Sequence, residues 1–97
     1  MRIEWKQAAL ADMAEIRDWI ATDNRDAALR VIRHIRSEVE LLRHNPHLGR
    51  AGQVSGTREL VVSRYPYIVI YQIEPEAVAL LAIFHTSRLW WEGLDRA

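Results

Sequence analysis

The sequence predicts an α+β domain, in which an N-terminal helical hairpin packs on a small, mainly antiparallel β-sheet. Apolar residues recur at three- and four-residue intervals in the first half of the chain, as amphipathic helices require, and three runs of strand-forming residues fill the second half. The 97 residues suffice for one domain and are too few for two. We therefore expect residues 1–97 to form a single domain.

The N-terminal segment predicts a short strand followed by a helix. Residues 2–5 alternate polar and apolar side chains, as a strand does. The segment from Gln7 to about Thr22 predicts an amphipathic helix, and the side-chain oxygens of Asp23, Asn24 and Asp26 can then cap a second helix. The apolar positions of the first helix are Leu10, Met13, Ile16, Trp19 and Ile20.

The second predicted helix has one apolar and one basic side, and Asn45-Pro46 ends it because proline disfavours helical geometry in the preceding residue. The simplest interpretation of the basic side is a solvated surface, which we favour over a nucleic-acid site. The apolar positions are Ala28, Val31, Ile32, Ile35, Val39 and Leu42, and the basic positions are Arg30, Arg33, Arg36 and Arg43.

Three strands follow a loop over residues 47–56, which holds three of the four glycines. The predicted strands are Arg58–Ser63, Tyr67–Ile73 and Ala77–His85, and the last two form a hairpin through Glu74-Pro75-Glu76. These two strands are nearly all apolar, which indicates that both faces of the sheet are covered. The helices can cover one face, so we expect a partner chain to cover part of the other face and part of the apolar tail. The apolar tail residues are Leu89, Trp90, Trp91 and Leu94.

Composition excludes several classes of function. The chain has no cysteine, so a disulfide scaffold, a thiol nucleophile and cysteine-ligated zinc are excluded. His44 and His47 flank Pro46 and do not have metal-ligand spacing, and no phosphate-binding glycine loop is present, so we expect neither metal nor cofactor. No segment has the apolar length of a signal peptide or a membrane span, and we expect a cytoplasmic protein.

Four segments, in this order after a helical hairpin, resemble the RelE/ParE family of toxins over nearly the whole chain. The resemblance implies a growth-arresting toxin of a type II toxin–antitoxin system, neutralised by a cognate antitoxin that wraps around it. It also implies that operator DNA is bound only through the toxin–antitoxin complex. The segments are Pro46-His47-Leu48-Gly49-Arg50, Gly56-Thr57-Arg58-Glu59-Leu60, Tyr67-Ile68-Val69-Ile70-Tyr71 and His85-Thr86-Ser87-Arg88-Leu89-Trp90.

One branch of this family cleaves messenger RNA on the ribosome, and cleavage by the RNA's own 2′-hydroxyl requires a base, an acid and cations around the phosphate. Candidate catalytic residues are Arg50 and Arg58 as phosphate clamps and His85 for proton transfer. We expect Arg58, at the start of one strand, and His85, at the end of another, to converge on one edge of the sheet. Arg88, Tyr67, Tyr71, Trp90 and Trp91 are candidate contacts for the target or the antitoxin.

Each candidate also has a structural interpretation. Arg50 can simply shape the loop after the second helix, and Arg58 can form an ordinary ion pair with Glu59. His85 can be a hydrogen-bonded structural histidine. The two tyrosines can be core or rim aromatics, because tyrosine favours strands, and Arg88 can pair with an acid or with antitoxin.

The other branch inhibits DNA gyrase, and two features favour it here. The formal net charge is zero, whereas docking into an RNA-lined cavity favours a cationic protein. Residues 51–53, where some nuclease members carry a carboxylate base, read Ala-Gly-Gln. Other nuclease members are rich in lysine at the site instead, whereas Lys6 is the only lysine of this chain. The alternatives are a ribosome-dependent mRNA endonuclease and a non-toxic module that only binds antitoxin, and a homodimer remains open.

Overall fold

The computed structural model describes residues 1–87 and confirms the α+β arrangement, with a helical hairpin packed on a mainly antiparallel sheet. The predicted strands at residues 67–73 and 77–85 have the predicted bounds, while the strand that begins at Arg58 ends at residue 61 instead of 63. The elements are β1 (Arg2–Trp5), α1 (Gln7–Ala21), α2 (Arg25–Glu40), a 3₁₀ turn (Leu41–Arg43), β2 (Arg50–Ala51), β3 (Arg58–Val61), β4 (Tyr67–Ile73) and β5 (Ala77–His85).

The five strands form one sheet in the order β1-β5-β4-β3-β2. The strands β5, β4, β3 and β2 pair antiparallel in succession, and β1 pairs with β5 in parallel. A parallel pair needs a long connection, and here the helical hairpin and three strands lie between the two partners in sequence. The two-residue β2 lies inside the segment that the sequence predicts to be a loop. It is too short for any alternating pattern to reveal it.

The second helix begins with a side-chain cap. The side chain of Asn24 accepts a hydrogen bond from the backbone N–H of Ala27 at 3.0 Å, which satisfies a donor at the start of α2. On the basic side of α2, three of the four predicted positions (residues 30, 33 and 36) are exposed. The fourth, Arg43, lies in the 3₁₀ turn, is half-buried and pairs with Glu40, so it is not part of that exposed surface.

The main core lies between the helices and one face of the sheet. The apolar stripe of α2 is buried as predicted, except that Ile32 is only partly buried. In α1 the prediction was wrong at two positions, since Leu10 is 49% and Trp19 79% exposed. The principal buried residues of this core are Ala9, Met13, Val31, Ile35, Val39, Leu42, Leu60, Val69, Tyr71, Val78 and Leu80.

The opposite face of the sheet carries a second, smaller core, to which Ile68, Ile70, Ala82 and Phe84 contribute. These four side chains are at most 9% exposed in the single chain, and Val54 from the loop before β3 packs against them. These four positions therefore need no partner chain to cover them, and the cover of the rest of this face by a partner stays a prediction. The predicted tail cluster, from Leu89 onward, lies outside the described residues. No helix within residues 1–87 is long and apolar enough to cross a membrane.

A polar cluster joins α2 to the turn between β3 and β4. The carboxylate of Glu38 accepts hydrogen bonds from the hydroxyl and from the backbone N–H of Ser63, the latter at 3.0 Å. His34 Nε2 lies 3.1 Å from the Ser63 hydroxyl and 3.3 Å from the Glu38 carboxylate, so this histidine is a partner in the cluster and not a solvated side chain. The pKa of Glu38 is lowered below its ordinary value, and the hydrogen bond from the Ser63 hydroxyl is the largest cause.

Candidate functional site

The loop before β2 is fixed by the hydroxyl of Tyr71. That hydroxyl donates to the carbonyl of Pro46 at 2.7 Å and accepts from the backbone N–H of Gly49 at 2.8 Å. A Cβ on Gly49 would lie 2.6 Å from the same hydroxyl oxygen, so only glycine fits there. Tyr71 is 0% exposed. The expectation that Tyr71 contacts a target or an antitoxin therefore needs correction, because its ring and hydroxyl belong to the core.

Arg58 holds the same loop from the edge of the sheet. Its guanidinium donates to the carbonyl of Gly49 from Nε at 2.9 Å and from Nη2 at 2.6 Å, and to the carbonyl of His47 at 3.2 Å. Backbone carbonyls thus engage two of its nitrogens, and they hold it in one orientation. The predicted ion pair with Glu59 is wrong, because Glu59 pairs with Arg50.

Arg50 is presented at the surface by that buried carboxylate. Its Nη2 and Nε lie 2.8 Å and 3.0 Å from Oε1 of Glu59, whose side chain is 3% exposed, while the side chain of Arg50 is 62% exposed. The second carboxylate oxygen of Glu59 accepts from the backbone N–H of Gln53 at 3.3 Å. Successive residues of a strand point to opposite faces. Arg50 therefore lies on the face of Glu59, and Arg58 on the other.

The strand register separates Arg58 from His85. Arg58 lies opposite Tyr71 on β4, whereas His85 lies opposite Tyr67 at the other end of that strand. The two positions are thus about 13 Å apart along the strands and two strand spacings, about 10 Å, apart across them. The prediction that Arg58 and His85 converge on one edge is wrong. The reason is that β3 and β5 are both antiparallel to β4, so the start of one and the end of the other lie at opposite edges.

His85 and Tyr67 do come together. Their rings meet edge to face, with centroids 5.7 Å apart and planes at 86°. His85 is exposed, and its Nδ1 accepts from the backbone N–H of Ser87 at 3.2 Å. Burial raises the pKa of the Tyr67 phenol above its ordinary value. Of the other candidate contacts, Arg88, Trp90 and Trp91 lie outside the described residues.

Tyr67 and His85 line a hollow between α1 and the end of the β4–β5 hairpin, with a volume of about 670 Å³. Residues of α1 that we did not predict as site residues form the opposite wall, including Asp12, Glu15, Asp18 and Trp19. Asp12 is 6% exposed, and its carboxylate accepts from the backbone N–H of Ile83 at 2.9 Å, so it joins α1 to β5. The sequence gives one indication of this buried carboxylate, because Asp12 stands beside Met13 on the apolar side of the helix.

The described residues contain no group of three or more histidine, aspartate or glutamate side chains that could hold a metal ion. Two surfaces stand out in the described part of the chain. A guanidinium at Arg50 is presented on one face, and an acidic, partly aromatic hollow lies at the far edge of the other.

Comparison with known proteins gives a consistent result. A model of the ParE toxin of type II toxin–antitoxin systems matches residues 3–90. The protein Y4kP of Sinorhizobium fredii is 39% identical over 89 residues, which are 92% of each chain. Toxin RelE2 of Caulobacter vibrioides is 33% identical over 88 residues, 91% of this chain and 98% of that one.

A solved structure shares the fold as well. A chain of the chromosomal ParDE toxin–antitoxin system from Pseudomonas aeruginosa superposes with a TM-score of 0.80 and 26% identity, covering 88% of this chain and 95% of that chain. The family model spans most of the sequence, and two relatives exceed 30% identity over nearly their full length. This chain therefore belongs to the RelE/ParE family and is a toxin of a type II toxin–antitoxin system.

Proposed function

We propose that this toxin arrests growth in the cytoplasm by binding DNA gyrase, and that a cognate antitoxin holds it inactive. The observation that carries the choice of target is the separation of Arg58 from His85 by the register of β3, β4 and β5. RNA cleavage needs a cation at the phosphate and a proton-transfer group on the same few atoms. Within residues 1–87 these two candidates do not share a site.

The state of the arginines supports the same choice. Arg58 donates to the carbonyls of Gly49 and His47, so binding a phosphate with the same nitrogens would release the loop. Arg50 is exposed but paired with Glu59, whose negative charge opposes the approach of a phosphate. Both arrangements suit a protein that works by binding.

The proposal is tested by inducing the toxin alone and, in parallel, with the product of the adjoining antitoxin gene. We expect growth arrest that the antitoxin relieves, with gyrase-linked breaks in chromosomal DNA and unchanged mRNA 5′ ends. In a reconstituted assay, the purified toxin should inhibit supercoiling by gyrase. Codon-phased mRNA cuts with intact chromosomal DNA would overturn the gyrase proposal.

One observation favours the second candidate, ribosome-dependent mRNA cleavage. His85 is exposed beside the Tyr67 phenol, a pair that could exchange a proton and stack on a base. The variant H85Q separates the candidates, since it should abolish mRNA cleavage but leave gyrase inhibition in place. A wild-type chain that arrests nothing yet binds its antitoxin tightly would instead be a binding module without toxicity.

A further inference from the structure

The hollow between α1 and the end of the β4–β5 hairpin has the chemistry of a docking site for a basic peptide segment. Its α1 wall presents the carboxylates of Glu15 and Asp18 and the indole of Trp19. Asp18 and Trp19 follow Glu15 by three and four positions, so each of them neighbours Glu15 on the helix surface. The opposite wall is formed by Tyr67 and His85.

The exposure of Trp19 is the first observation that indicates a binding partner for this hollow. The side chain is 79% exposed, although tryptophan is among the largest apolar residues and usually buries most of its surface. Tryptophan is enriched among the residues that dominate the binding energy of protein interfaces. In α1 the core is instead filled by Ala9 and Met13, so Trp19 contributes little to folding.

The acidic residues around Trp19 indicate that the binding partner is positively charged. Glu15 forms no ion pair within residues 1–87, and Asp18 pairs only with the neighbouring Arg17, at 3.0 Å on an exposed surface where such pairs contribute little. Two accessible carboxylates favour a lysine or arginine side chain, which can pair with the acids, and the neighbouring indole favours an apolar group beside that cation. The same acids repel the phosphates of a nucleic acid.

We propose that the hollow binds a segment of the antitoxin that carries an arginine or lysine next to an aliphatic residue, with the cation at Glu15 and Asp18 and the aliphatic group against Trp19 and Tyr67. The identity of the partner as an antitoxin rests on the proposed function. A second copy of the chain could also offer arginines, from the exposed side of α2. Such self-association, as a closed dimer or as an open chain, would appear as oligomers of the free chain.

The probe is a helix-forming alanine–leucine peptide with two arginines one turn apart, titrated into the ¹⁵N-labelled full-length toxin. We expect the largest shifts at residues 15–22, 67 and 83–87, and a clear change at the Trp19 indole N–H. The double variant E15Q/D18N should bind about tenfold more weakly, the loss of two partly exposed charge pairs. The variant W19A should lose at least as much, and both variants should retain the thermal stability of the wild type.

The matched controls are a peptide with glutamine in place of both arginines and the variant R30Q/R33Q on the exposed side of α2. The glutamine peptide should bind about tenfold more weakly than the arginine peptide, whereas R30Q/R33Q should bind the arginine peptide as the wild type does. Equal binding of the two peptides, no binding, shifts that map elsewhere, or association of the free chain into oligomers that R30Q/R33Q abolishes would each overturn the inference. Growth arrest is scored separately and without antitoxin, so that failure of the proposed function leaves the peptide result intact.

Discussion

Replacing Tyr71 with phenylalanine removes one oxygen atom from the core and leaves the ring in place. In the wild type that oxygen joins β4 to the loop before β2, through the carbonyl of Pro46 at 2.7 Å and the N–H of Gly49 at 2.8 Å. Gly49 is buried and Pro46 is half-buried. In Y71F the Gly49 N–H is therefore left without a partner away from water, while the Pro46 carbonyl can regain part of its hydrogen bonding from solvent.

The magnitude follows from these two groups. An unsatisfied buried donor costs about 1–3 kcal/mol, and an ordinary hydrogen bond replaced by water about 1 kcal/mol. The free energy of unfolding should therefore fall by about 2–4 kcal/mol. For a domain of this size, each kcal/mol shifts the melting temperature by about 4–8 °C. The expected fall in the melting temperature of Y71F is thus about 8–32 °C.

The assay is urea unfolding followed by circular dichroism, with the midpoint and the slope fitted separately, since a change of midpoint at constant slope reports stability alone. The matched control is Y67F, which removes a hydroxyl from the same strand and the same face. No hydrogen bond to the Tyr67 hydroxyl is present in the described part of the chain, so Y67F should change stability by less than about 0.5 kcal/mol. A loss in Y71F below about 1 kcal/mol, or one no larger than in Y67F, would refute the reasoning.

Two further predictions concern the contacts that hold the helices to the sheet. The variant D12A leaves the backbone N–H of Ile83 without its carboxylate partner and should lower the free energy of unfolding by about 1–3 kcal/mol in the same assay, whereas D12N should lose less; equal losses would contradict a role as acceptor. For Glu38 the pKa in the folded protein is lowered, so its contribution to stability is complete above the ordinary value of 4.5 and is lost as pH falls through the folded value. The stability difference between the wild type and E38Q, measured by urea unfolding at a series of pH values, should narrow below that range, and a pH-independent difference would count against the Ser63 hydrogen bond as its cause.

The fold was predictable because most of it is encoded locally. The period of the apolar residues predicts both helices. The side chains of Asp23, Asn24 and Asp26 predict a cap, which Asn24 forms, and Glu74-Pro75-Glu76 predicts the hairpin. Each of these features depends only on neighbours in sequence. The short β2 escaped prediction because two residues carry no pattern. The exposure of Leu10 and Trp19 also escaped it, since a helix of fifteen residues has more apolar side chains than its contact with the sheet can bury.

The site was harder to predict, because its residues are brought together by register. Neighbours in sequence such as Arg58 and Glu59 point to opposite faces, and the pairing of Glu59 with Arg50 depends on β2 lying against β3. The separation of Arg58 from His85 likewise depends on which ends of the strands meet. The pairing of Tyr67 with His85 also depends on register, because an irregularity of the ladder between Ile70 and Tyr71 shifts β5 by one residue relative to β4.

The brevity of β2 has a consequence for how the protein behaves at high concentration. A sheet whose edge strand is long and flat presents a row of unpaired backbone N–H and C=O groups, with which a strand of another molecule can pair. Here the outermost strand has only two residues, and Arg50 places a charge on it. This border of the sheet is thus protected against growing into fibrils by strand addition, even in a chain whose central strands are almost wholly apolar.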